Sequence, residues 1–288
     1  MAPSSATVAA LELGFRLRDA REEVGLSGIK AAQTLGISQN FLSEVEHGKR
    51  RLTEDKLAEA ADLYSIHKQE LSELRALRDQ SDERGWWIRY SGLFPPDMLR
   101  YFGYEWGAES IRSHESLLIP GLLQTEAYAR AVIDGDKPNI RASDTDQRVA
   151  ARLKRQRRIT DADDPVKFTV VLSEGALKQQ VGGPKVLAEQ LQHLIDLIEA
   201  HPETLEVLVV PFTADAHGAL GASTFHLLTF PSPQLPDLAW QETVTTAGLI
   251  ESSTRVRQFS LTWADCVRHA ADRTGSLDVI FRDLKALT

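Results

Sequence analysis

The sequence predicts an all-helical N-terminal domain followed by a larger α+β domain with a mixed or antiparallel sheet. Three observations carry that prediction. Up to about Leu77 the apolar residues recur only at helical spacing. Residues 78–85 (RDQSDERG) are polar and charged and mark the boundary. Beyond Gly85, runs rich in β-branched and aromatic residues alternate with helical stripes. The expected division is an arm over 1–12, a helical domain over 13–80 and the α+β domain over 81–288.

Residues 1–10 have neither a basic stretch nor an apolar core. They read as part of a short disordered arm and not as a signal peptide. Leu13, Leu17, Ala20 and Val24 form the first helical stripe. The stretch 26–52, LSGIKAAQTLGISQNFLSEVEHGKRRL, is the most informative in the chain. Ser27 stands where it can cap a short helix whose buried side is Ile29, Ala32 and Leu35. Gly36 ends that helix, because glycine takes the left-handed conformation without steric cost. Ser38 caps a second helix, with Phe41, Leu42 and Val45 facing inward, and Gly48 ends it. Two short helices joined by a glycine-containing turn make a helix-turn-helix. Leu57, Ala61 and Tyr64 form another stripe, and Leu71, Leu74 and Leu77 a third.

In the larger domain, strands are expected over 167–173, 205–211, 223–230 and 238–246. A helix over 186–200 separates the first two and is long enough for a parallel crossover. The later short links read as hairpins. Helices are expected near 256–271 and 276–286.

Composition narrows the function. Hydrophobic residues are 42% and charged residues 26% of the 288, an ordinary globular balance. The net charge of −8 excludes a uniformly basic nucleic-acid coat, so any DNA contact must come from a local patch. Residues 1–80 carry a net −2, but residues 26–52 carry +2. One cysteine, Cys266, excludes an internal disulfide and a multi-cysteine zinc site. No apolar run reaches the length of a membrane span, and a cytoplasmic protein is expected.

The order LS…A…LGIS…S.VE.GKRRL resembles the Xre, or Cro/C1-type, helix-turn-helix family of repressors, over about residues 14–66. That resemblance implies a five-helix bundle, with 38–46 as the recognition helix in the DNA major groove. Gln39, Asn40, Ser43 and Glu44 would then read bases: Gln and Asn pair bidentately with adenine, and Glu accepts from cytosine. Ser27, Gly28, Ser38, His47, Lys49, Arg50 and Arg51, with backbone N–H groups near them, would meet phosphates. The family often carries Gln where this chain has Gly28, so one side-chain contact is missing. The resemblance also implies that Glu46 pairs with Arg21 and fixes the recognition helix. The competing reading for the charged residues is a solvated face.

The runs ESLLIPGLLQTEAY (115–128), RLKRQRR (152–158), LSEGALKQQVGG (172–183) and VLVVPFTADAH (207–217) resemble the domain behind Xre modules in actinobacterial regulators of the WhiJ-like type. That implies a regulator and not an enzyme, with no cofactor, often paired with a small acidic protein of the BldB-like kind. No metalloprotease, nucleophile-elbow, P-loop or dinucleotide-binding motif occurs. Trp86, Trp87, Trp106, His114 and Arg155 are the candidate ligand or partner surface, with core packing or a dimer face as the alternative for the aromatics. The expected protein is a homodimeric regulator that binds double-stranded operator DNA and responds to a small molecule or an acidic partner. The rival is an antitoxin-like protein that neutralises a partner and represses its own promoter. A third reading makes the larger domain an enzyme.

Overall fold

Ser5 accepts a hydrogen bond from the N–H of Val8 and starts helix α1, Ala6–Glu23, well inside the stretch expected to be a disordered arm. Ala9 and Leu11 of that stretch are buried. The Ala-rich run has high helix propensity, and a cap plus an apolar face fixes it. The fold is seen in a computed structural model, which describes residues 2–161, 163–243 and 247–287, with the backbone alone at Ala247.

Four more helices complete the N-terminal unit, which comprises residues 3–88 with 232–235. They are α2 (Gly28–Leu35), α3 (Gln39–Glu46), α4 (Glu54–Leu63) and α5 (Lys68–Gln80). Ser27, Ser38 and Thr53 cap α2, α3 and α4, each accepting from the N–H three residues on. Gly36 closes α2 at φ 65°. The bundle closes on Leu13, Leu17, Ala31, Ala32, Leu35, Leu42, Val45, Leu57, Tyr64 and Leu74. Two expected core positions are corrected. Ile29 is 54% exposed on the first turn of α2, where Ala31 turns inward instead. Val24 is exposed because α1 has already ended there.

The second unit, chiefly residues 89–231 and 236–288, is built on a six-stranded mixed sheet of order β3-β2-β1-β4-β5-β6. Helix α6 (Pro96–Gly107) leads into β1 (Ser110–Glu115). Helices α7 (Glu126–Gly135) and α8 (Thr145–Thr160) return the chain to β2 (Lys167–Ser173), which lies parallel to β1. Helices α9 (Glu174–Lys178) and α10 (Pro184–Ala200) cross to β3 (Leu205–Val210), also parallel. The strands β4 (Phe225–Thr229), β5 (Leu238–Glu242) and β6 (Ala247–Ile250) continue from β1 in antiparallel register. Helices α11 (Ser253–His269) and α12 (Arg273–Lys285) end the chain.

The expected strands and helices are all present, and so are the parallel crossover and the β4–β5 hairpin, but the link from β3 to β4, expected as a hairpin, is not one, because β3 pairs with β2 and β4 with β1. Residues 244–246 of the strand expected over 238–246 lie outside the described residues. Two strands were not expected. The central one, β1, reads Ser-Ile-Arg-Ser-His-Glu and lacks the apolar run by which buried strands are recognised. Its alternate residues serve the two faces. Helix α11 covers the face of His114, Phe225, Leu227 and Ala239, with Val256, Phe259 and Trp263 packed against Phe225, Leu227 and Ala239, and Cys266 against Val171 and Leu208. The opposite face carries Ser113, Glu115, His226 and Trp240, and there Tyr101 of α6 stacks on His226 and Trp240. Among the described residues no helix is long and apolar enough to cross a membrane.

Candidate nucleic-acid interface

The second helix of the motif, α3, is only eight residues long, and isolated helices of that length are unstable in water. Its stability comes from what lies behind it. Leu42, Val45 and Glu46 are buried, and α1 runs across their back. The crossing is close because Gly14 has no side chain: a Cβ there would lie 2.5 Å from the carbonyl oxygen of Val45. Gly48 is constrained twice. It takes φ 63°, and a Cβ on it would meet the Leu11 backbone at 2.8 Å.

Arg21 completes the attachment. Its Nε donates to Glu46 Oε1 at 2.6 Å and its Nη2 to Oε2 at 3.0 Å. Its Nη1 donates to the carbonyl of Leu26 at 2.8 Å, two residues before α2 begins. One side chain of α1 thus ties the end of α3 and the approach to α2. Hydrogen bonding to Glu46 raises the Arg21 pKa further against the cost of burial. Tyr64 lies in the same buried region, where burial first and the Glu46 charge second push its hydroxyl up to about 12. In the low dielectric here a pair with matched geometry is held firmly, and either partner alone would be an uncompensated charge.

With its inner side fixed, α3 presents Gln39, Asn40 and Ser43 outward, all exposed, and Glu44 half-buried. The Ser38 hydroxyl accepts from Phe41 N–H at 3.1 Å and leaves the first amides of α3 facing out. On α2, Ser27 is exposed and its hydroxyl caps Lys30 N–H, while nothing lies within 4 Å of where a Gly28 Cβ would be. Lys30, not among the expected contacts, is exposed in the first turn of α2. Its place within the motif was the available signal.

The basic loop differs from expectation in two ways. The amides of Lys49 and Arg50 both donate to the Glu44 carbonyl, at 2.7 and 3.2 Å, and that of Gly48 to Val45, so these backbone groups are not offered to phosphates. A helix end that closes its own carbonyls uses them first. The side chains are also engaged: Arg50 pairs with Glu44 at 3.4 Å, and Arg51 with Asp82. Both pairs are exposed and therefore weak. A phosphate could take over either arginine. His47 is half-buried, its Nδ1 sitting 2.7 Å from the Ser43 carbonyl. Lys49 is exposed.

Within the larger unit, His114 of the candidate surface lies on the opposite side of the sheet from Arg155. Trp86 and Trp87 belong to the N-terminal unit, where Trp87 is buried over Gly85. His114 is buried on the α11 side of the sheet, stacked on Phe225, and burial first, then His217, lowers its pKa to about 4. Arg155 projects from α8 on the other side, forked onto Glu105 with both bonds at 2.7 Å. Trp106 is half-buried, near Arg158. The alternation of β1 turns His114 to the α11 side, away from Ser113 and Glu115. Among the α8 cations, Arg155 and Arg158 turn inward.

Residues 12–74 match a family described as a helix-turn-helix domain, and residues 98–282 match one described as a domain of unknown function, DUF5753. No curated protein matches the chain.

Proposed function

The chain belongs to the DUF5753 family and carries a helix-turn-helix domain ahead of it, and from that premise we propose that it is a sequence-specific transcriptional regulator. The observation that carries this reading is the exposed row Gln39, Asn40 and Ser43 on a short helix held rigidly from behind by Arg21, Glu46 and Gly14. Base readout needs amide-bearing side chains on a stiff helix narrow enough to enter the major groove.

In this account Gln39, Asn40, Ser43 and Glu44 read base edges. Ser27, Gly28, Ser38, His47, Lys49, Arg50 and Arg51 set the register on phosphates, joined by Lys30. The net +2 over 26–52 is a modest attraction for one module. A homodimer on two half-sites supplies the missing affinity. The larger unit is the dimerising and signal-receiving part, in the manner of the WhiJ-like Xre regulators its sequence resembles. The protein acts where DNA is, in the cytoplasm.

Genome-wide mapping of bound DNA tests the reading. Enrichment at a short two-fold-related sequence in promoter regions is the expected result. Binding without sequence preference would contradict it. A stoichiometric toxic partner that co-purifies, with binding confined to the protein's own promoter, would favour the antitoxin reading instead.

A further inference from the structure

We propose that the larger unit holds a receptor site for a small planar carboxylate, anchored by Arg152 on the face of the sheet opposite α11. The inference deepens the regulatory reading above and rests on it for its biological meaning, but not for its chemistry.

The argument starts from charge. Arg152 and Arg155 lie one turn apart on α8, and the turn Gly121–Leu123 packs against both. A Cβ on Gly121 would lie 3.6 Å from Arg155 Nη1 and 3.7 Å from Arg152 Nε, so the two guanidiniums are close neighbours. Arg155 is satisfied, since both arms of its fork are taken by Glu105. Arg152 is not. Its hydrogen bond goes from Nη1 to the neutral Gln124 amide oxygen at 2.8 Å, and no carboxylate lies within 4.0 Å of it among the described residues. Burial first, and the Arg155 charge second, lower its pKa to about 10.

A half-buried cation beside another cation, hydrogen-bonded to a neutral amide and offset only by the Glu242 and Glu105 charges beyond ion-pair distance, is an expensive arrangement to maintain. A carboxylate there would compensate it, and the planar guanidinium fork selects that geometry. The neighbouring groups on this face are aromatic. The Tyr101 ring lies between Arg155, 5.6 Å from its centroid, and the stacked rings of His226 and Trp240 at 5.6 and 4.7 Å. His226 is half-buried, and its Nδ1 is enclosed without a hydrogen-bond partner. Burial first, then Arg155, lowers the pKa of that imidazole to about 3, so it offers a neutral ring. Glu115, on the same face, accepts from Ser113 and Thr224 at 3.0 Å each. Burial lifts its carboxyl to about 7, which limits the repulsion an incoming anion would feel.

Calorimetric titration of the full chain tests this with three probes: benzoate, its neutral isostere benzamide, and inorganic phosphate. Saturable benzoate binding is expected, with benzamide weaker by at least about tenfold. Arg152→Gln should weaken benzoate by a similar factor, Arg152→Lys by less, and Arg157→Gln, on the exposed side of α8, not at all. Far-ultraviolet circular dichroism checks that each variant is folded; should Arg152→Gln unfold, Arg152→Lys against Arg157→Gln decides. No saturable benzoate heat, equal binding of benzamide, binding of phosphate alone, or indifference to Arg152 would each overturn the inference. DNA binding is measured on the same preparation. DNA binding without benzoate binding removes the receptor site only; benzoate binding without DNA binding removes the regulatory reading only.

Discussion

Arg21 grips Glu46 with two arms of its guanidinium, at 2.6 and 3.0 Å, and with the third it holds the Leu26 carbonyl. Helix α3 is therefore positioned by a residue on a different helix, 25 positions earlier in the chain. Removing one partner leaves a buried charge. Glu46→Ala should cost about 3–5 kcal/mol by urea unfolding, and the paired apolar replacement Arg21→Met with Glu46→Leu should recover most of it. A Glu46→Ala protein of full stability with altered base preference would make Glu46 a reader and not an anchor.

Gly14→Ala tests the helix crossing. The added methyl would lie 2.5 Å from Val45 O and 2.8 Å from Glu46 O, both backbone atoms that cannot rotate away. A loss of about 1–3 kcal/mol or more is expected, together with weaker DNA binding, because α3 must shift outward. Unchanged melting and binding would show that α1 and α3 are not in fixed register.

The Arg51–Asp82 pair gives a prediction about salt. Arg51→Ala should reduce the slope of log affinity against log salt by about one. Asp82→Asn, which frees the arginine, should strengthen binding to all sequences. If neither variant moves the salt dependence, Arg51 stays with Asp82 and away from the phosphates.

Glu115 should leave a mark on stability against pH. Its folded pKa of about 7 lies above the ordinary carboxylate value, so the folded state binds more protons than the unfolded state in between. Stability from this group is full below about pH 4.5 and is lost as pH rises towards 7. His226, lowered to about 3, acts in the opposite sense, losing stability as pH falls below about 6.5. The difference between wild type and Glu115→Gln isolates the first effect: the variant should gain relative stability between pH 4.5 and 7.5. A difference flat with pH would place Glu115 in contact with water.

What could be read in the sequence was local. Ser27, Ser38 and Gly36 are caps whose meaning depends on their nearest neighbours, and they gave α2 and α3 directly. The order of helices and most strands followed from periodicity. The helical start of residues 6–12 is hidden in the sequence, because an Ala-rich run with one Ser cap looks like low complexity until its apolar face finds a partner. Strand β1 was hidden because its buried polar groups find their partners far along the chain, such as Glu115 with Thr224. The Glu105–Arg155 fork, across 50 positions, and the loop amides that bond to Glu44 depend on tertiary geometry that no motif records.

The most direct test of the account is selection from randomised DNA by the full wild-type chain and by Gln39→Ala and Asn40→Ala, read by sequencing. The account predicts one enriched site for the wild type. Each variant should lose preference at one or two base pairs per half-site, at a cost of about 1–3 kcal/mol on the parent site, with affinity for random DNA unchanged. Identical enriched sites for all three proteins, or equal losses on selected and random DNA, would contradict the claim that α3 reads bases through this row.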